Sequence, residues 1–205
     1  MPPSVLRVDP AAPDAGALAA AARALRAGGL VAFPTETFYG LGAAALDPAA
    51  ARRVFEVKGR PASMPLLVLV DSLRMVERVA VDVPTRAREL MDRYWPGALT
   101  LVLRAAPGVP DAITAGTGTV GVRLPGHAVA RALVGALGAP VTAPSANATG
   151  TAPPTTAADV LASLGDALDL VLDGGPTPGG APSTVLDVTV DPPRLIRQGA
   201  VTVSL

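Results

Sequence analysis

The chain has 205 residues, a formal net charge of +0, 50% hydrophobic residues, 17% charged residues and 3% aromatics. That balance suits one α/β domain with an aliphatic core and excludes a chain that stays disordered. Cysteine is absent and His127 is the single histidine, which excludes disulfides, thiolate chemistry, iron–sulfur clusters and Cys-based or multi-His metal sites. Neutral charge argues against bulk electrostatic attraction to nucleic acid or to an anionic membrane. No apolar run approaches the ~18–20 residues of a membrane span. Residues 1–15 carry Pro and Asp where a signal peptide needs a basic start and an apolar stretch, so the chain reads as a cytoplasmic protein.

In chain order, Asp14 is placed to cap a helix over Ala17–Ala27, stopped by Gly28-Gly29. Leu30–Phe33 reads as a buried strand, and a Gly-containing loop runs from Pro34 to Gly42. Asp47-Pro48 pairs an N-cap with Pro at the first helical position, opening a helix through Val57. Leu66–Val70 is a continuous apolar run, the pattern of a strand buried on both faces. Ser72–Val79 and Pro84–Tyr94 read as helices, Leu99–Leu103 and Val120–Leu124 as strands. His127–Leu137 is a helix closed by Gly138, and His127 there reads as a capping or surface residue rather than a catalyst. Val141–Ala143 is a short strand, Thr155 or Thr156 caps a helix toward Leu164, and Leu168–Leu172, Val185–Val190 and Leu195–Arg197 are the last strands. Helices mixed with strands throughout predict an α/β fold with a twisted mixed sheet and flanking helices. Asp173–Pro182, dense in Gly and Pro, is expected to be a long mobile loop over a site.

No Walker loop, dinucleotide fingerprint or Gly-x-Ser-x-Gly elbow is present. What remains is a series of polar loops at strand ends, the usual place for a ligand crevice in an α/β sheet. Pro34–Gly42 carries two threonine hydroxyls, aromatics and glycines that let backbone approach a ligand. Of the 17 basic residues only Lys58 is a lysine. It opens Lys58-Gly-Arg-Pro61, readable as a rigid anion cradle or as a basic helix end favoured by the dipole. Thr119, Gly121 and Arg123 share one face of a strand. Arg123 in that apolar run requires a partner, either a ligand anion or a structural ion pair. Pro144–Gly150, Pro182–Val185 and Arg197–Gly199 complete the series.

Taken together, Pro34-Thr-Glu-Thr-Phe-Tyr-Gly-Leu-Gly42, Lys58-Gly-Arg-Pro61 with Pro65, Val122-Arg-Leu-Pro125, Ser145-Ala-Asn147 with Gly150, Pro182-Ser-Thr-Val185 and Arg197-Gln-Gly199 resemble the YrdC-type threonylcarbamoyl-AMP synthases, in the family's order. The resemblance implies a single YrdC-like domain over 1–205, with its core at about 17–200 and a large concave cavity. It implies ATP, L-threonine and bicarbonate or CO2 as substrates and threonylcarbamoyl-AMP plus pyrophosphate as products, a nucleotidyltransferase activity. The product would feed threonylcarbamoyladenosine formation through a transferase machinery acting on tRNA. Direct contact with RNA is a further implied partner, and an RNA-binding module of the same fold is the alternative reading. Carried over by motif, Lys58 and Arg60 would be catalytic, and both would bind ATP together with Ser63, Thr119, Ser145, Asn147 and Arg197. Thr35, Thr37, Arg123 and Ser183 would hold threonine. Mg2+ is implied on the phosphates, with no side-chain metal ligand. The chain departs from the common pattern at Met64 and Leu69, where many members carry a polar residue and a His, and at Pro153, where some carry a Ser; its length resembles the short form of the family.

Overall fold

The computed structural model describes residues 2–204. Strand β1 (Ser4–Arg7) leads into α1 (Ala15–Arg26), β2 (Val31–Phe33), β3 (Gly40–Gly42), α2 (Pro48–Lys58), β4 (Leu67–Leu69), α3 (Leu73–Val76), β5 (Ala80–Val81) and α4 (Thr85–Tyr94). The second half runs through β6 (Leu99–Ala105), α5 (Asp111–Thr114), β7 (Thr119–Arg123), α6 (Ala128–Leu137), β8 (Val141–Thr142), α7 (Ala157–Leu164), β9 (Leu170–Asp173), β10 (Thr184–Asp187) and β11 (Arg194–Arg197). The expected α/β class holds.

Helix starts are chemically explicit. The Asp14 carboxylate accepts the Ala17 amide at 2.8 Å, and Asp47 accepts those of Ala49 and Ala50 with Pro48 behind it. Thr156 and Asp159 form a reciprocal capping box on α7. His127 caps α6, its Nδ1 accepting the Val129 amide at 3.2 Å.

The strands form two sheets rather than the single one expected. The smaller has the order β1-β9-β2-β3, the larger β11-β10-β6-β7-β4-β8 with β5 added beside β6. Both are mixed: β2 lies parallel to β9 and antiparallel to β3, while β7 lies parallel to β4 and antiparallel to β6. The sheets meet where β3 passes β8. Bridges join Gly40 to Ser145 and Ala44 to Val141. There the buried Thr142 hydroxyl donates to the Leu41 carbonyl at 3.0 Å and accepts the Ala43 amide at 2.9 Å. Gly42 is required at this crossing, because a Cβ there would lie 2.9 Å from both the Phe33 ring and Val141. The core between the sheets and helices is almost wholly Ala, Val and Leu, with Phe33, Tyr39 and Trp95 as its buried aromatics.

Three segments differ from expectation. Gly40–Gly42 pairs as a strand although its glycines read as loop, because the missing side chains let it lie against Phe33. Strand β1 adds to an exposed edge and so has no hydrophobic alternation to reveal it. The Asp173–Pro182 segment is tied down rather than free. Gly179 donates to the Thr37 carbonyl and Thr177 to the Thr155 carbonyl, each at 2.8 Å, and the Tyr39 hydroxyl donates to the Gly175 carbonyl at 2.7 Å.

Candidate active site

A cavity of about 410 Å3 opens on the face of the larger sheet, within the range of small-ligand sites. Strands β6, β7, β10 and β11 supply its floor, and the loops after β2, α2 and β8 supply its walls. Eight of the residues singled out by sequence line it: Thr35, Thr37, Arg60, Thr119, Arg123, Ser145, Ser183 and Arg197. The remaining three do not. Ser63 is exposed on the Lys58–Pro65 loop. Asn147 is buried with its amide nitrogen donating to the Thr151 carbonyl at 2.8 Å, and its side-chain oxygen has no partner. Lys58 is buried, its ammonium donating to the carbonyls of Ser145 at 2.6 Å and Asn147 at 2.5 Å. It therefore holds the loop after β8 from beneath. Burial, then the charge of Arg60, pushes the Lys58 ammonium down to about 8.

After β2 the chain turns through hydroxyl bonds of its own. Thr35 Oγ1 donates to the Phe38 carbonyl at 2.7 Å, accepts the Thr37 amide at 3.1 Å and lies 3.1 Å from Thr37 Oγ1. Two buried hydroxyls thus stand side by side at the cavity wall. At the end of α2, Gly59 takes the left-handed conformation (φ 59°), which swings Arg60 away from the helix axis. Arg60 then donates from Nε to the Met64 carbonyl at 3.2 Å and from Nη2 to the Pro65 carbonyl at 2.9 Å.

Strand β7 places Thr119, Gly121 and Arg123 on the cavity face, as the period of two predicts. Of the two readings of Arg123, the structural ion pair is present, and the side chain also faces the cavity. Its Nη2 stands 2.6 Å from Oε1 of the partly buried Glu36 in an ion pair, and Nε donates to the Gly97 carbonyl at 3.1 Å. Arg123 Nη2 and the other Glu36 oxygen, Oε2, are buried without hydrogen-bond partners. Burial alone would raise the Glu36 carboxyl, but the Arg123 charge, with the Gly126 amide at 2.8 Å, holds it below its usual range.

On the opposite side Ser183 Oγ lies 2.9 Å from Thr100 Oγ1. Arg197 reaches back from exposed β11 to the Ser183 carbonyl at 2.9 and 3.1 Å and to its hydroxyl at 3.2 Å. Burial, then mutual repulsion along the row Arg60, Arg197, Arg123, depresses the first two guanidinium groups. Among the described residues no carboxylate and no imidazole lines the cavity. Three guanidiniums and a set of hydroxyls make it a receptor for anions that also hydrogen-bond.

Glu36 and Thr100 escaped sequence reasoning. Glu36 lay inside a recognised loop but its partner is distant in sequence. Thr100 had a usable signal, one polar residue within the apolar run Leu99–Leu103, the same signal that exposed Arg123. Of the departures from pattern, Pro153 lines the cavity, Leu69 is buried in β4 and Met64 is exposed.

An α/β protein of two mixed sheets, with a cavity at strand ends whose guanidiniums and hydroxyls suit anionic groups, is the class that this fold and site define. Residues 23–199 match the Sua5/YciO/YrdC family, described as telomere recombination, and the chain belongs to that family. It is 48% identical over 179 residues to the threonylcarbamoyl-AMP synthase of Pyrococcus abyssi, covering 87% of this chain and 53% of the relative. It is 45% identical over 189 residues to the threonylcarbamoyl-AMP synthase of Bacillus subtilis, covering 90% and 54%. The chain thus spans about half the length of these curated relatives. The crystal structure of P. abyssi Sua5 complexed with L-threonine superposes with a TM-score of 0.92 at 44% identity, covering 95% of this chain and 57% of the other.

Proposed function

We propose that the chain, read as one YrdC-like domain over 1–205, is a threonylcarbamoyl-AMP synthase, joining L-threonine, bicarbonate or CO2 and ATP into threonylcarbamoyl-AMP and pyrophosphate. The observation that carries this reading is the cavity itself, which gathers Arg60, Arg197 and the buried Arg123 with the hydroxyls of Thr35, Thr37, Thr119, Ser145 and Ser183. It is supported by the neighbour that holds L-threonine in the same fold.

In this reading the threonine amine, deprotonated to bulk water, adds to CO2 to give a carbamate. A carbamate oxygen attacks the α-phosphorus of ATP in line, the P–O bond to the β-phosphate breaks, and pyrophosphate leaves. No protein nucleophile is needed, which suits a lining that among the described residues has no carboxylate, imidazole or thiol. Catalysis is positioning plus charge neutralisation. Arg60 and Arg197 offset triphosphate charge, with Thr119 and Ser145 as hydrogen-bonding wall. Arg123 takes the threonine carboxylate, and Thr35, Thr37 and Ser183 supply partners for the side-chain hydroxyl, whose loss in an analogue would leave them unpaired. Lys58 and Asn147 act by holding the loop that carries Ser145. Among the described residues no group of three or more His, Asp or Glu could hold a metal. The residues therefore do not fit a protein-held metal, and Mg2+ enters only as the counter-ion that ATP carries. The labile product would pass to a transferase machinery acting on tRNA in the cytoplasm. No helix among the described residues is long and apolar enough to cross a membrane.

The test is pyrophosphate release. The reading expects release that requires ATP, L-threonine and bicarbonate together; release unchanged when threonine is left out would refute it.

A further inference from the structure

The three guanidiniums that line the cavity are not equivalent. Among the described residues, Arg60 and Arg197 have no carboxylate partner: their hydrogen bonds go to the Met64, Pro65 and Ser183 carbonyls and the Ser183 hydroxyl. Arg123 alone is neutralised, by Glu36 at 2.6 Å from behind the cavity wall. The surroundings of Glu36 add no second cation to the lining. His127 is kept neutral by burial, and Arg131 spends its guanidinium on the Pro125 and Gly126 carbonyls at 3.0 and 2.9 Å. Arg60 and Arg197 therefore present uncompensated positive charge to the cavity, whereas the charge of Arg123 is cancelled.

We infer that Glu36 is a specificity-determining residue: by cancelling the charge of Arg123 it bars phosphate groups from the amino-acid end and reserves that end for a monoanionic carboxylate. This rests on the reading of the cavity as a site for both ATP and threonine. The physical reason is a difference in what the two anions need. A carboxylate is held by the planar fork of a guanidinium through geometry as much as through net charge. A phosphate dianion gains more from net charge, and a buried ion pair offers it little. Without such partition the cationic row would be a single trough along which a triphosphate could slide into the threonine position. Glu36, partly buried, is held toward Arg123 by the bond that its Oε1 accepts from the Gly126 amide at 2.8 Å.

The experiment uses inorganic pyrophosphate as the probe and compares the wild type with Glu36→Gln and Glu36→Asp. Glutamine keeps an oxygen for the Gly126 amide and removes only the charge; aspartate keeps the charge. Calorimetric titration should give one class of pyrophosphate site in the wild type and in Glu36→Asp. In Glu36→Gln a second site should appear, and L-threonine should displace it. In turnover, pyrophosphate should compete with ATP in every protein but with threonine only in Glu36→Gln, raising the apparent threonine KM by about tenfold at a pyrophosphate concentration that leaves the wild-type value unchanged. A merely structural role would weaken ATP and threonine together and create no second site. An unchanged stoichiometry in a folded Glu36→Gln protein, or the same second site in Glu36→Asp, would overturn the inference. Absence of L-threonine binding to the wild type would instead remove the functional reading, while the count of pyrophosphate sites would still decide the charge partition.

Discussion

Lys58 shows how far a residue's identity and its placement can part. A lone lysine beside an arginine in a proline-rich loop signals an anion contact, yet the ammonium is only 4% exposed at the residue level and its protons go to the Ser145 and Asn147 carbonyls. The spacing could not say whether α2 would end with Lys58 facing the cavity or the neighbouring loop; the left-handed Gly59 settles it by turning Arg60 outward instead. A consequence follows for pH. The unfolded lysine keeps its proton to its ordinary 10.5, whereas in the fold it is lost near 8. Between those values the unfolded chain binds more protons, so stability rises with pH. Wild-type melting temperature should climb from pH 8 to 10, and Lys58→Met should abolish the climb; an equal climb in the variant would contradict the burial of the ammonium. Lys58→Ala should also lower turnover on the order of 100-fold, by releasing the Ser145 loop. Arg123→Ala, in contrast, should raise the threonine KM at least tenfold and leave the ATP KM near its wild-type value, a split that steady-state kinetics reads directly.

At the scale of elements, what was legible followed from burial. The apolar runs that became β2, β4, β6 and β7 and the capped helices α1, α2, α6 and α7 are all visible because each buries a face or carries an explicit cap. The elements that were not legible are β1, β3, β5 and α5, short pieces whose pairing is supplied by distant strands or packing. The same division runs through the site. Residues on regular strands, such as Thr119 and Arg123, could be placed from the period of two, while Asn147 and Ser63 sit on loops whose direction depends on tertiary contacts. The tethering of Asp173–Pro182 could not be read either, since it depends on the Tyr39 hydroxyl, which accepts the Gly174 amide at 3.2 Å and donates to Gly175. Burial, then the neighbouring Asp173 charge, pushes that phenol up to about 12, so it remains a donor throughout the working range. Tyr39→Phe should destabilise the protein by roughly 1–3 kcal/mol, the cost of leaving two backbone groups unpaired. It should also speed hydrogen exchange at Gly174–Gly179; exchange as slow as in the wild type would show that the segment is held by something else.

For the molecule as a whole, the arrangement gives an aliphatic chain of neutral net charge a cavity with concentrated positive charge, as the proposed binding of ATP requires. The basic groups are few but convergent: the face of one sheet gathers Arg123 and Arg197 from β7 and β11, and the end of α2 adds Arg60. The second sheet contributes the threonine-bearing loop after β2, and the crossing at Gly42 and Thr142 fixes that loop against the first sheet. Recognition thus depends on the junction of the two sheets as much as on any one side chain. A structure of the protein with L-threonine and a non-hydrolysable ATP analogue tests this most directly. The threonine carboxylate should lie on Arg123 between the Thr35–Thr37 wall and Ser183, with the phosphates against Arg60 and Arg197. Phosphates seated on Arg123, or a threonine bound outside the cavity, would contradict it.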